Sequence, residues 1–91
     1  MAAESSLERS CRRRAEAAGC LLLKLWPLVA GLPDRLLLRP GGRVEFIEFK
    51  APGEKPTRIQ AFWHRRLRAL GFQVHTVDSL AGWVAIFQPG E

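Results

Sequence analysis

Cysteine is scarce in this chain: Cys11 and Cys20 are the only two, too few for the disulfide framework that holds many small secreted domains together. They match no zinc pattern either, because no further cysteine and no H-x-x-x-H pair completes a ligand set. Both are read as small apolar residues buried in a reducing compartment. A long apolar run is also missing, since "CLLLKLWPLVAGL" is broken by Lys24 and Pro27 and is too short to span a bilayer. The tetrad "AAGC" ending at Cys20 has the outline of a lipoprotein cleavage site, but "RRRAE" stands where an apolar signal core would lie. The expectation is a protein of the cytoplasm, of a bacterium or of a phage's host, with no membrane association. Repeats, low-complexity tracts and dividing linkers are lacking too, so residues 1–91 are expected to form a single domain with one modest core. A domain of this size buries only about 60 to 65 per cent of its unfolded surface, which makes a homodimer the expected assembly.

Acids are the minority charge: 9 Asp and Glu face 14 Lys and Arg, a formal net charge of +5, and eleven of the cations are arginine. The planar guanidinium suits phosphate oxygens better than the lysine point charge does. A polyanionic partner is favoured, although basic totals also occur in small proteins that bind nothing, so the pattern has to decide.

Ser5 and Glu8 fit a capping box, and Leu7, Cys11, Ala15 and Ala18 recur at helical spacing with Arg9, Arg12 and Arg13 outward until Gly19. "CLLLKLW" then reads as a strand stopped by Pro27. "DRLLLR" is a second strand, and "PGG" turns into a third, "RVEFIEFK". Thr57 caps a helix running to Leu70, with Ile59, Trp63, Leu67 and Leu70 inward and Arg58, Arg65 and Arg68 outward. Gly71 follows as its left-handed terminator. "FQVHTV" is a fourth strand, and "DSLAGWVAIF" a short closing helix capped by Asp78 or Ser79. The order αβββαβα makes the first three strands an antiparallel meander. The third and fourth, joined through a helix, are parallel with a right-handed crossover. The fold class is α/β, a mixed sheet with helices on its faces.

Alternation in the third strand puts Val44, Phe46, Glu48 and Lys50 on one side and Glu45, Ile47 and Phe49 on the other. Both sides are largely apolar, so Glu48 and Lys50 interrupt a covered strand at its carboxyl end, where an ion is costly unless paired, hydrated or metal-bound. A lone E-x-K is most simply a pair of same-face neighbours at the rim of a sheet. Asp34 changes the balance, because it opens the strand expected beside the third and so lies next to Glu48 and Lys50. Two carboxylates with open positions are what Mg2+ or Mn2+ takes, and the Phe49 carbonyl between Glu48 and Lys50 is a natural further ligand. A turn role for Asp34 after Pro33 is the competing reading.

Together "GLPDRLLL", "GGRVEFIEFKAPG", "PTRIQAFWHRRLRALGF" and "VHTVDS" resemble, in order from about Ser6 to Ser79, the VRR-NUC family, the compact branch of the PD-(D/E)xK nuclease superfamily. The resemblance implies a restriction-endonuclease-like αβββαβ core, here with a short C-terminal helix. It implies Asp34 and Glu48 as metal ligands, Phe49 as a ligand through its carbonyl, and Lys50 as the cation that orients the attacking water and steadies phosphate charge. Glu8 corresponds to the family's upstream acid, binding the metal or a water on it, and Gln60 to a helix glutamine that supports the site. Each of these two also completes a capping box, Ser5 to Glu8 and Thr57 to Gln60, and the two roles are compatible. Stand-alone phage and bacterial members resemble homodimeric enzymes that cut branched DNA, Holliday junctions in particular. Whether one metal ion or two takes part stays open.

Arg9, Arg12, Arg13, Arg58, Arg65, Arg66 and Arg68 offer a phosphate-contacting surface, with Arg35, Arg39 and Arg43 expected nearer the site; such contacts position a duplex without reading bases. Solvated helix faces are the plain alternative for part of this set. His64, mid-helix beside arginines, and His75, in a strand with no clustered partner, are read as structural. Trp26, Trp63 and Trp83 are read as core or subunit contacts, with Trp83 and Phe87 as the apolar patch where a dimer would form. The function expected is a metal-dependent, structure-selective DNA endonuclease. The alternatives are a non-catalytic branched-DNA-binding module and an accessory subunit of a phage or repair assembly.

Overall fold

The structure is a computed structural model that describes residues 4–25 and 29–88. Its elements are α1 (Ser6–Ala17), β1 (Leu21–Lys24), β2 (Arg35–Arg39), β3 (Arg43–Phe49), α2 (Arg58–Ala69), β4 (Gln73–Val77) and α3 (Leu80–Ile86), the expected order. Trp26 and Pro27, expected to end the first strand, lie outside the described residues.

Both long helices begin where their capping boxes direct. The Ser5 hydroxyl accepts from Glu8 N–H while the Glu8 carboxylate accepts from Ser5 N–H, and Thr57 and Gln60 repeat the arrangement. Each box satisfies amides that the first helical turn leaves unpaired. Ser79 caps α3 by accepting from Gly82 N–H, leaving Asp78 to accept instead from Gly53 N–H in the loop after β3.

The sheet runs β1-β2-β3-β4, with β1–β2 and β2–β3 antiparallel and β3–β4 parallel. In the β2–β3 register Arg35 faces Ile47, Leu37 faces Glu45 and Arg39 faces Arg43. These residues share one side of the sheet. On it Leu37, Ile47 and Leu22 pack with Cys11 and Ala15 of α1 and Trp83 and Phe87 around α3 to form the apolar core. The Trp83 and Phe87 rings stack at 4.9 Å. Both are buried, so the exposed patch expected of them is absent, because α3 turns them inward against the sheet.

The same side carries charge. Arg39 donates from Nε to Glu45 at 2.6 Å and from Nη2 to the Ile86 carbonyl at 3.2 Å, and His75 Nε2 meets the other Glu45 oxygen at 2.9 Å. His75 therefore has the charged partner that the sequence did not suggest.

On the opposite side α2 packs over β4, and its phase differs from expectation. Its buried residue is His64, while Ile59 is 50% and Leu70 75% exposed. Since β4 is an edge strand, the face of α2 turned to the sheet is centred on His64, with Trp63 and Leu67 half-buried beside it. Arg68 is drawn back to the sheet, donating to the Val74 carbonyl at 2.7 Å.

The loop carrying Pro33 and Asp34 is held against α2 at Gly31, whose φ is +92° and where a Cβ would stand 2.9 Å from the Ile59 carbonyl oxygen. Gly31→Ala therefore meets both a left-handed backbone and a backbone clash. It is expected to cost about 2 to 3 kcal/mol, against about 1 kcal/mol for Gly42→Ala, whose φ is +77° but whose surroundings are open. Urea unfolding of the two variants measures the difference.

Candidate active site

The register that pairs Arg35 with Ile47 carries Asp34, one residue earlier, opposite Glu48, one residue later, on the α2 side of the sheet. Fully buried Pro33 precedes Asp34, and the Asp34 carbonyl accepts from Leu25 N–H at 2.7 Å, which fixes the chain on both sides of the acid. Its side-chain Oδ1 accepts from Phe49 N–H at 3.4 Å. Burial raises the Asp34 pKa above the ordinary range, against the pull of that amide, and the Glu8 charge adds to the rise.

Glu48 is 5% exposed, and its Oε1 is buried with no hydrogen-bond partner. Burial first, and then repulsion from Asp34, push its pKa up to about 7, with Lys50 pulling the other way. The Lys50 ammonium thus lies within electrostatic reach of Glu48, and its own amide is tied to the Val77 carbonyl at 3.0 Å. Asp34, Glu48 and Lys50 are brought together as the sequence reading requires.

Glu8 and Gln60 are held otherwise. One Glu8 oxygen accepts from Ser5 N–H and the other from Arg35 at 2.8 Å, so both are in use, and these bonds keep its pKa low despite burial. Gln60 gives its carbonyl oxygen to Thr57 N–H at 2.9 Å. Among the described residues no three His, Cys, Asp or Glu side chains form a ready metal cluster.

Arg35, expected on the DNA surface, is 4% exposed and pairs with Glu8 and, at 3.9 Å, with Glu4. It ties α1 to β2 and is not available to phosphate. Arg39 and Arg43, expected near the site, pair with each other's position at the far end of the hairpin from Asp34. Arg12 is bound to Glu4 and Glu16, and Arg9 lies 3.9 Å from Glu4. Arg13, Arg58 and Arg65 are exposed.

His64 is the residue the sequence reading passed over. It is 2% exposed, and its Nε2 lies 3.7 Å from Glu48 Oε1. Burial, then Arg68 and Lys50, lower its pKa. Its spacing of four from Gln60 places both on one face of α2, which is the signal that was there to use.

Beside these groups a cleft of about 650 Å³ opens between the start of α1, the end of β3 and the start of α3, lined by Ser5, Glu8, Phe49, Lys50, Pro52 and Ser79 among others. Phe49 and Lys50 join this cleft to the buried acid pair. An oxygen-binding divalent cation fits the donors present: two neighbouring carboxylates, both raised in pKa by burial and charge. Two protein carboxylates, with remaining positions left to water, carbonyl or phosphate, are how Mg2+ is commonly held.

A phage protein, "Putative nuclease p44" of Acyrthosiphon pisum secondary endosymbiont phage 1, is 44% identical over 77 residues, which make up 84% of this chain and 83% of that protein. A solved structure described as a VRR_NUC domain superposes with a TM-score of 0.83 at 32% identity, over 91% of each chain. The chain belongs to the VRR-NUC family. No family model matches the sequence. For a VRR-NUC chain the Asp34–Glu48–Lys50 arrangement is the natural place to look for chemistry, and no described helix is long and apolar enough to cross a membrane.

Between about pH 7 and the ordinary carboxylate range, folded Glu48 holds a proton that the unfolded chain has released, so stability falls as pH rises through that window. Asp34 acts in the same direction, whereas Glu8 and Glu45, with lowered pKa values, withdraw stability only at more acid pH. Glu48→Gln is expected to flatten the decline and, in chelator at pH 8, to stabilise the fold by an amount of order 3 kcal/mol or less. Thermal melts across pH 5 to 8 in chelator read both effects.

Proposed function

We propose that this VRR-NUC chain is a divalent-metal-dependent DNA endonuclease that selects branched DNA, of the Holliday-junction type, and works as a homodimer. The observation that carries the reading is the buried, mutually repelling pair Asp34 and Glu48 with the Lys50 ammonium beside it, which a chain that only binds DNA has no reason to keep. Asp34, Glu48 and the Phe49 carbonyl would hold Mg2+ or Mn2+. Such an ion supplies Lewis-acid polarisation of a phosphodiester oxygen and a water of lowered pKa.

The protein's own groups do the rest. Lys50, at the junction of the acid pair and the cleft, orients the attacking water and balances charge that grows on the phosphate during in-line attack. Asp34 and Glu48 are held by the β2–β3 register and need no rearrangement as the reaction proceeds. Arg13, Arg58 and Arg65, exposed on the helices, provide backbone contacts that register duplex shape without reading bases. Exposed apolar side chains such as Leu21, Leu23, Ile59 and Leu70 are surface that a second copy would bury. Two sites related by a two-fold axis would suit the symmetric strands of a four-way junction.

Labelled four-way junction, flap, duplex and single strand, each with Mg2+, Mn2+ or chelator, test the reading directly. Cutting should require metal, be fastest on the junction, and fall about 100- to 1,000-fold in Asp34→Ala and in Lys50→Ala while junction binding persists. Binding without cutting under every metal would make the chain a recognition module. Replacing Arg13, Arg58 and Arg65 together by alanine should weaken binding to all substrates and reduce the salt dependence by roughly one ion per lost phosphate contact. Arg35→Ala should instead lower the melting temperature, because it strands the Glu8 carboxylate.

A further inference from the structure

Four side-chain polar atoms among the described residues are buried without a hydrogen-bond partner: Arg35 Nε, Trp83 Nε1, Glu48 Oε1 and His64 Nε2. Arg35 lies on the α1 side of the sheet, opposite Ile47, and Trp83 packs in the apolar core on that same side. Glu48 and His64 lie together on the α2 side, with Oε1 and Nε2 3.7 Å apart. An unpaired buried polar group costs about 1 to 3 kcal/mol, so two such atoms facing each other call for a joint explanation. A closure of less than an ångström brings the pair into the range of about 2.7 to 3.2 Å of a direct hydrogen bond. Hydrogen bonds at catalytic sites are often long in the free protein and tighten in the working complex.

The placement of His64 depends on α2 as a whole. The Thr57–Gln60 capping box sets where the helix begins, and Arg68 ties the following turn to the Val74 carbonyl, so the one fully buried position between them is directed at β3. Gln60, one turn earlier, has its carbonyl oxygen engaged by the cap, whereas the imidazole Nε2 has no such engagement.

We infer that His64 is a positioning residue for the nuclease site: its Nε2–H donates to Glu48 Oε1, holds that carboxylate in one orientation, and leaves the other oxygen to act with Asp34 on the divalent cation. The inference rests on the metal-site reading above. An outer partner of this kind fixes the rotamer of a ligating side chain, and its loss commonly costs 10- to 100-fold in metal affinity or activity. His64 touches neither substrate nor metal in this role, so it acts through Glu48 alone.

The test compares His64→Gln, whose amide reaches the Nε2 position, with His64→Leu, which fills the space without a donor. Calorimetric titration with Mn2+ alone, on the full chain without DNA, is expected to show about a 10- to 100-fold weaker affinity in His64→Leu and near-wild-type affinity in His64→Gln. Junction cleavage should follow in kcat, with KM for DNA unchanged. If His64→Leu does not fold by circular dichroism, His64→Asn, whose amide is too short to reach, replaces it with the same expectation. Equal Mn2+ affinity in wild type, His64→Leu and His64→Gln would overturn the inference and leave His64 a packing residue, as would equal losses in both variants. If the wild type itself neither binds Mn2+ nor cuts, the nuclease reading fails separately. The pairing is then decided by urea unfolding of His64→Leu, Glu48→Gln and the double variant: non-additive midpoints support it, and additive ones overturn it.

Discussion

Asp34 and Glu48 face each other across a single antiparallel pair, and their mutual repulsion under burial is the constraint around which this end of the fold is organised. Repulsion of this kind would normally be relieved by a turn of either side chain or a slip of one strand. Here the register and Asp34 are both held. The register is fixed by the alternation of Leu36, Leu38, Val44 and Phe46 on one side and Leu37 and Ile47 on the other, and a slip by one residue would exchange the two faces. Buried Pro33, the tie from Leu25 to the Asp34 carbonyl and the Phe49 amide on Asp34 Oδ1 hold the approach from the other direction.

Much of this was legible in the chain itself. The two capping boxes, the glycine-rich turn between β2 and β3, and the change from helical to alternating periodicity carry local physics that operates within a few residues, and the structure follows them. Alternation also marked Glu48 as an anomaly and placed Asp34 next to it. The phase of α2 was less accessible. Ile59, Trp63, Leu67 and Leu70 make a convincing apolar stripe, but which stripe is buried depends on where the helix lies over the sheet, and α2 lies over an edge strand with His64 turned inward.

The arginines divide for a related reason. Sequence places Arg35 on a strand but does not reveal that its partner is Glu8, 27 residues away on another element. Glu45 was on the same alternating face as Ile47 and is just as buried as Glu48, yet it is met by Arg39, Arg43 and His75, whose convergence only the folded chain displays. The contrast between the two glutamates is informative: Glu45 is surrounded by donors and keeps a lowered pKa, while Glu48, three residues further along the strand and on the opposite face, is raised by burial and by Asp34 against the pull of Lys50. A strand of seven residues thus carries one carboxylate met by three donors and one whose Oε1 is buried with no hydrogen-bond partner.

The two thiols have a practical bearing on how such a molecule is handled. Cys11 is wholly enclosed on the buried face of α1, and enclosure pushes its pKa up to about 11, while Cys20 is only 4% exposed. Thiolate is the reactive form, so near neutrality Cys11 is a poor target for alkylating dyes, and neither sulfur is readily reached from solvent. A single cysteine introduced on an exposed helix position would therefore accept a fluorophore selectively, without first stripping the native pair from the interior.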